Sequence, residues 1–174
     1  MTREMKDAMA AAVRDLRLPR YGEIPNVGLY LEQVTKYICE CLSPLGDVTI
    51  TGSMISNYVK RGLVDNPVKK QYGRGQIACL IYIAVAKNVL SLDNIDLLMG
   101  MQRRTYDLQV AYDYFCAEFE NLLYYVFGLK SAPDTVGTEA TDEKLMLRNT
   151  IITVAHKIYL DMCFRTLDAG ADER

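Results

Sequence analysis

Between Val27 and Leu42 the apolar residues Tyr30, Val34, Tyr37 and Cys41 recur at steps of three and four, and Leu31, Ile38 and Leu42 widen the stripe. Glu32, Gln33, Lys36 and Glu40 fall elsewhere, so the spacing predicts an amphipathic helix over 27–42 with Asn26 as its N-cap. Ser43-Pro44-Leu45-Gly46-Asp47 breaks it. After the link Val48-Thr49-Ile50, Thr51 can cap a short second helix from Gly52, which Gly62 closes. That helix carries Ile55, Tyr58 and Val59 on one side and Ser53, Ser56, Asn57 and Lys60 on the other. Asn66-Pro67 and the pair Gly73 and Gly75 frame Val68-Lys69-Lys70-Gln71-Tyr72, which reads as a tight loop or small hairpin, a wing. Gln76 to Val89 is apolar almost all round and predicts a central buried helix. Ser91 caps a short helix, Leu92 to Met99.

Two longer helices follow. From Gln102 to Phe127 the set Leu108, Tyr112, Phe115, Phe119, Leu122 and Val126 alternates steps of four and three, a heptad-like seam that seeks a helical partner. A loop rich in Gly, Pro and Thr, 128–141, leads to a last helix capped by Thr141 and running to about Leu167, with Leu147, Ile151, Val154 and Ile158 in a wide stripe. The expected fold class is all-α, with the last two helices packed as an antiparallel hairpin. Ahead of everything, Thr2 to Leu18 is Ala-rich and predicts a mobile or loosely docked helix, followed by an extended connector over Leu18-Pro19-Arg20-Tyr21-Gly22-Glu23-Ile24-Pro25. The expected organisation is an N-terminal extension (1–18), a head (19–100) and a C-terminal helical region (101–174).

The chain has 174 residues, one ordinary domain, and its 50% hydrophobic and 24% charged content excludes wholesale disorder. The five cysteines (Cys39, Cys41, Cys79, Cys116, Cys163) are odd in number and scattered, and Arg3, Glu4, Lys6 and Asp7 leave no secretory apolar stretch after Met1. These features predict a reducing, cytoplasmic setting. The longest uncharged apolar run, Ile77 to Ala86, is half of the roughly 20 residues a membrane span needs, so no membrane association is expected. A single histidine, His156, leaves no nucleophilic triad or His-rich metal cluster to name, so neither an enzyme nor a cofactor is expected.

Charge changes the picture locally. The net charge is −2, yet between Tyr58 and Arg74 stand Lys60, Arg61, Lys69, Lys70 and Arg74 against Asp65 alone, a local +4 that leaves −6 for the remainder. A helix with a small polar outer face can enter a groove, Asn can pair with adenine, and Lys or Arg can meet guanine or phosphate. Duplex DNA is therefore the expected partner, contacted by Ser53, Ser56, Asn57, Tyr58, Lys60 and Arg61 of the second helix and by Lys69, Lys70, Tyr72 and Arg74 of the wing. A solvated basic loop is the alternative reading of the same charges.

The string from Thr51 to Pro67, then Tyr72, the helix from Gln76 and Leu92-x-x-Ile95-x-x-Leu98, resembles the winged helix-turn-helix of MerR-type transcription regulators. Leu18-Pro19-Arg20-Tyr21, Ile24-Pro25 and Leu29-Tyr30-x-x-Gln33-Val34 ahead of it resemble more closely a bacterial family, the domain of unknown function numbered 1836. The resemblance covers about Leu18 to Leu98 and implies a DNA-binding head. The wing is shorter than in MerR-type proteins, and Gln71-Tyr72 stands where those often carry Arg-Tyr.

The remaining candidates are weaker. Cys39 and Cys41, two apart on a helix, point about 200° apart and cannot jointly grip a metal. Cys116 and Cys163 could face each other, although core packing accounts for both. The late aromatic residues, among them Tyr106, Tyr114, Tyr124 and Tyr159, fit a core, a dimer seam or the pocket of a small-molecule effector. The expectation is a homodimeric regulator joined through the seam; the alternative is a protein-interaction module on a winged-helix scaffold without DNA binding.

Overall fold

Periodicity predicts a mainly helical chain, and the computed structural model, which describes residues 1–137 and 141–169, has that architecture. Among the described residues it comprises seven α-helices and one two-stranded antiparallel sheet. Thr2 starts α1 (Arg3–Val13) by accepting the Met5 amide at 3.3 Å. The helix is not loosely docked. Met9 and Val13, one turn apart, and Leu16 and Leu18 beyond them are all buried, and each such side chain contributes about 1.5–3 kcal/mol.

The connector that follows is fastened by charge-assisted bonds. The Glu120 carboxylate accepts the Leu18 amide at 2.8 Å and two guanidinium N–H groups of Arg20 at 2.7 Å each. Asp113 accepts the Tyr21 amide at 2.7 Å. Bidentate Arg–carboxylate pairing fixes orientation as well as distance, so Leu18-Pro19-Arg20-Tyr21 acts as a clamp on the sixth helix.

Strand β1 (Leu29–Tyr30) precedes α2 (Leu31–Leu42), so the N-cap is Tyr30 and not Asn26. The cause is a close approach: a Cβ at Gly28 would lie 2.7 Å from Gln71 Cβ. The segment stays extended there and pairs with β2 (Gln71–Tyr72), Leu29 opposite Tyr72 and Tyr30 opposite Gln71. Helix α2 buries Val34, Ile38 and Leu42, the stripe the spacing predicts. Between it and α3 (Gly52–Lys60) runs a nine-residue connection, a 3₁₀ turn over Ser43–Leu45 and then extended chain, pinned by buried Leu45, Val48 and Ile50. Thr51 caps α3 by accepting the Met54 amide at 3.2 Å, and Gly62, at φ +78°, ends it. In α4 (Arg74–Ala86) every residue from Ile77 onward except Tyr82 is buried. Ser91 caps α5 (Leu92–Thr105), which runs six residues past its predicted end; the chain then turns in extended conformation at Tyr106 and Asp107 into α6 (Leu108–Val126).

The antiparallel hairpin is not what forms. Helices α6 and α7 (Asp142–Ala169) run parallel. Tyr106, before α6, meets Thr141, before α7, hydroxyl to hydroxyl at 3.1 Å; Glu118 meets Arg148 midway; and Phe127, after α6, packs edge-on against Tyr159 at 5.2 Å. The connection between them returns along α6. Asn121 holds Asp134 by two bonds, its amide to the Asp134 carbonyl at 2.9 Å and its carbonyl from the Asp134 amide at 2.8 Å, and Gly137 lies against the Tyr114 ring.

One polar group sits at the centre of this pair. Glu118 is 0% exposed, its Oε2 accepts from Asn121 at 3.3 Å, and Arg148 Nε approaches Oε1 at 3.1 Å as an ion pair without an aligned hydrogen bond. A single apolar cluster extends from Met9 to Cys163, with α4 packed on both α6 and α7, so the head and the late helices share one core.

Candidate nucleic-acid interface

Helix α3 divides as its spacing predicts. Ile55 and Tyr58 are buried, while Ser53, Ser56, Asn57 and Lys60 are exposed. The serine hydroxyls are locally engaged, Ser56 donating to the Gly52 carbonyl at 2.9 Å and Ser53 lying 3.0 Å from the Thr51 hydroxyl. Asn57 and Lys60 carry no side-chain hydrogen bond or ion pair among the described residues. Gly52 lies against Leu31, its Cβ position 3.5 Å from the leucine side chain, so the N-terminal ends of α2 and α3 lie together.

The wing is a two-residue hairpin. Val68 and Gln71 exchange both backbone bonds, at 3.0 and 2.9 Å, and the residues between them, Lys69 and Lys70, have φ of +50° and +66°. A tight hairpin turn of this hand requires positive φ at both central positions, where Asn-Gly is the unstrained choice. Lysine there costs about 1–2 kcal/mol per residue. Two exposed, strained cations at a hairpin tip are a local expense with no packing return.

Opposed residues in a strand pair share a face, so Val68, Gln71 and Tyr30 line up on the outer side of the small sheet. Tyr30 is 54% and Val68 73% exposed, beside the two lysines. Sequence reasoning assigned Tyr30 to the buried stripe of α2 and passed over Val68. Alternation within Leu29-Tyr30 and Gln71-Tyr72, one residue in and one out, is the signal that identifies them.

Several predicted contacts are corrected by burial or pairing. Tyr58 and Tyr72 are core residues, 3% and 4% exposed, because each lies on the inward side of its element. Burial also raises both phenol pKa values. Arg61 is paired with Asp93 at the start of α5. Arg74 is turned inward, its Nε donating to the Ile24 carbonyl at 2.8 Å and its guanidinium lying 5.7 Å from the centre of the Tyr21 ring. Of the five clustered cations, Lys60, Lys69 and Lys70 stand exposed with no side-chain partner among the described residues.

The predicted dimer seam is also corrected. Tyr112, Phe115, Phe119 and Leu122 are buried inside this one chain, Phe115 stacking on Phe119 at 5.9 Å, and only the ends of the seam, Leu108 and Val126, are partly open. Parallel α7 and the central α4 cover it.

The other candidates fall into the core or the surface. All five cysteines are free thiols, with Cys79, Cys116 and Cys163 buried, and burial pushes the Cys116 thiol up to about 12. His156 is exposed, bonded to the Ile152 carbonyl of its own helix at 2.8 Å. Among the described residues no group of three or more His, Cys, Asp or Glu side chains could hold a metal ion, and no helix is long and apolar enough to cross a membrane.

Comparison with known proteins gives one finding. No curated protein and no solved structure matches the chain. The family model described as Domain of unknown function (DUF1836) matches residues 19–115, more than half of the 174, taking in the clamp at Leu18-Pro19-Arg20-Tyr21 from Pro19 onward, β1, α2, α3, the wing, α4, α5 and the first part of α6. This chain therefore belongs to the DUF1836 family.

Proposed function

We propose that this protein binds duplex DNA as a cytoplasmic transcriptional regulator, through a head of MerR type in which α3 reads the major groove and the Lys69–Lys70 hairpin grips phosphate. The observation that carries the reading is the wing tip: two lysines held exposed in a costly left-handed conformation, beside a helix whose outer face offers Asn57 and Lys60. The order β1, α2, α3, wing, α4, α5 supports it, as does the pairing of β1 with the wing strand. Phosphate contacts by the lysines would position the head, and Asn57 would supply base readout.

In this reading the regulator is a homodimer, and its contact is the outer face of α7 rather than the α6 seam. Met146, Leu160, Phe164 and Leu167 lie along one side of that helix and are exposed. The same face favours the second reading, a protein-interaction module that does not bind DNA. One pair of measurements separates them. At low salt the purified protein should retain genomic duplex fragments, and sedimentation at tens of micromolar should show a dimer that Phe164→Lys converts to monomer. A protein that self-associates yet retains no fragment is the interaction module.

A further inference from the structure

A cavity of about 60 Å³ opens where α4, α5, α6 and α7 meet, the junction between the head and the late helices. Its walls are apolar: Ala78 and Tyr82 from α4, Met99 from α5, Ala111 and Phe115 from α6 and Leu147 from α7. Roughly 10–15 Å³ admits one water, so the space is several waters in size and fits one small ring. Water in it would find few partners, which favours an apolar occupant.

The rim is different in character. Arg103 lines the mouth and is exposed, one guanidinium nitrogen donating to the Leu63 carbonyl at 3.2 Å. The guanidinium also lies beside the Cys79 thiol, where it opposes the upward push of burial on that group. Arg103 makes no ion pair among the described residues. Tyr106, also at the mouth, has the Lys144 ammonium 5.7 Å from its ring centre, a second positive charge nearby. The adjacent Glu143 carboxylate is taken up by the Thr105 hydroxyl at 3.0 Å.

We propose that this cavity is a binding site for a small aromatic or alicyclic monocarboxylate, its ring between α4, α6 and α7 and its carboxylate on Arg103. An apolar enclosure of one-ring size bordered by a guanidinium that bonds to the Leu63 carbonyl but makes no ion pair among the described residues selects that combination over a neutral hydrocarbon, which leaves the charge unused, and over an amine, which Arg103 repels. The site does not depend on the DNA reading, since occupancy is measured on the protein alone.

Benzoate is the probe, with toluene and benzylamine beside it, titrated into the full chain at millimolar concentration while the Met99 and Leu147 methyl resonances and Tm are followed. Benzoate should shift both methyls saturably and raise Tm, toluene should act more weakly, and benzylamine should do neither. Arg103→Gln should weaken benzoate about tenfold and leave toluene unchanged; Ala111→Phe, which fills the space, should abolish both. Unmoved methyls, toluene binding as tightly as benzoate, or undiminished benzoate binding in folded Ala111→Phe would each overturn the assignment. Should Ala111→Phe fail to fold, the exposed Arg103→Gln variant decides: benzoate affinity equal to that of the unaltered chain sinks the proposal.

Discussion

Helices α3 and α6 carry equally regular patterns and put them to opposite use. On α6 the regular feature is apolar, and the chain consumes it internally, Phe119 lying at the centre of one continuous core. On α3 the regular feature is polar, and the chain leaves it in water, with Asn57 and Lys60 exposed and without side-chain partners among the described residues. Apolar periodicity tells which face is buried but not against what. A small polar face next to strained cations tells more, because neither packing nor backbone preference accounts for it.

The largest expected effect lies in the α6 core. Phe119→Ala should cost about 3–5 kcal/mol at any protein concentration, because the void is within one chain. A loss that fades on dilution would return the residue to a dimer seam. Arg148→Met should cost less, about 1–3 kcal/mol, since it takes a partly exposed cation away from the buried Glu118 side chain. Denaturant unfolding of the two variants checks both values.

Smaller effects belong to α3 and the wing. Asn57→Ala should cost about 1–3 kcal/mol at a preferred duplex and little on random duplex, whereas Lys69→Ala and Lys70→Ala should weaken both alike. Equal losses for all three would make Asn57 a phosphate contact. The turn itself acts on stability in the opposite direction. Replacing Lys69–Lys70 by Asn-Gly should relieve the strain at both positions, less roughly 1 kcal/mol for glycine's greater freedom in the unfolded chain, and so stabilise the fold by about 1–3 kcal/mol, roughly 2–4 °C in Tm for each kcal/mol, and at the same time weaken DNA binding. A gain in stability with unchanged binding would mean the strained lysines serve no contact.

The legible parts of the molecule were those set by local chemistry. Thr51, Ser91 and Thr141 each cap the helix they were predicted to cap, and Gly62 ends α3 with the positive φ that glycine alone adopts freely. The all-round apolar pattern of α4 gave its central place. What failed depends on distant partners. Nothing near Asn26 signals that Gly28 must pass Gln71, and no Gly or Pro marks the break at Tyr106 and Asp107 between α5 and α6. The parallel packing of α6 and α7 rests on such partners too, and the length of the connection permits it without requiring it. The 15 residues between Val126 and Asp142 can span at most roughly 50 Å, ample to return along a helix of 19 residues that is about 28 Å long. At the candidate interface, charge alone could not separate Lys60, Lys69 and Lys70 from Arg61 and Arg74, whose partners Asp93 and Ile24 lie on other elements.

If three lysines on α3 and the wing meet phosphate, as proposed, the salt dependence of duplex binding counts them. Each neutralised phosphate contributes about −0.9 to the slope of log K against log salt, so each head using all three contributes roughly −3 and a dimer with both heads on the duplex should give a slope of roughly −5, falling to about −2 in the Lys69→Ala, Lys70→Ala double variant. A slope near zero, or one that the double variant leaves unchanged, would mean that these lysines do not meet phosphate.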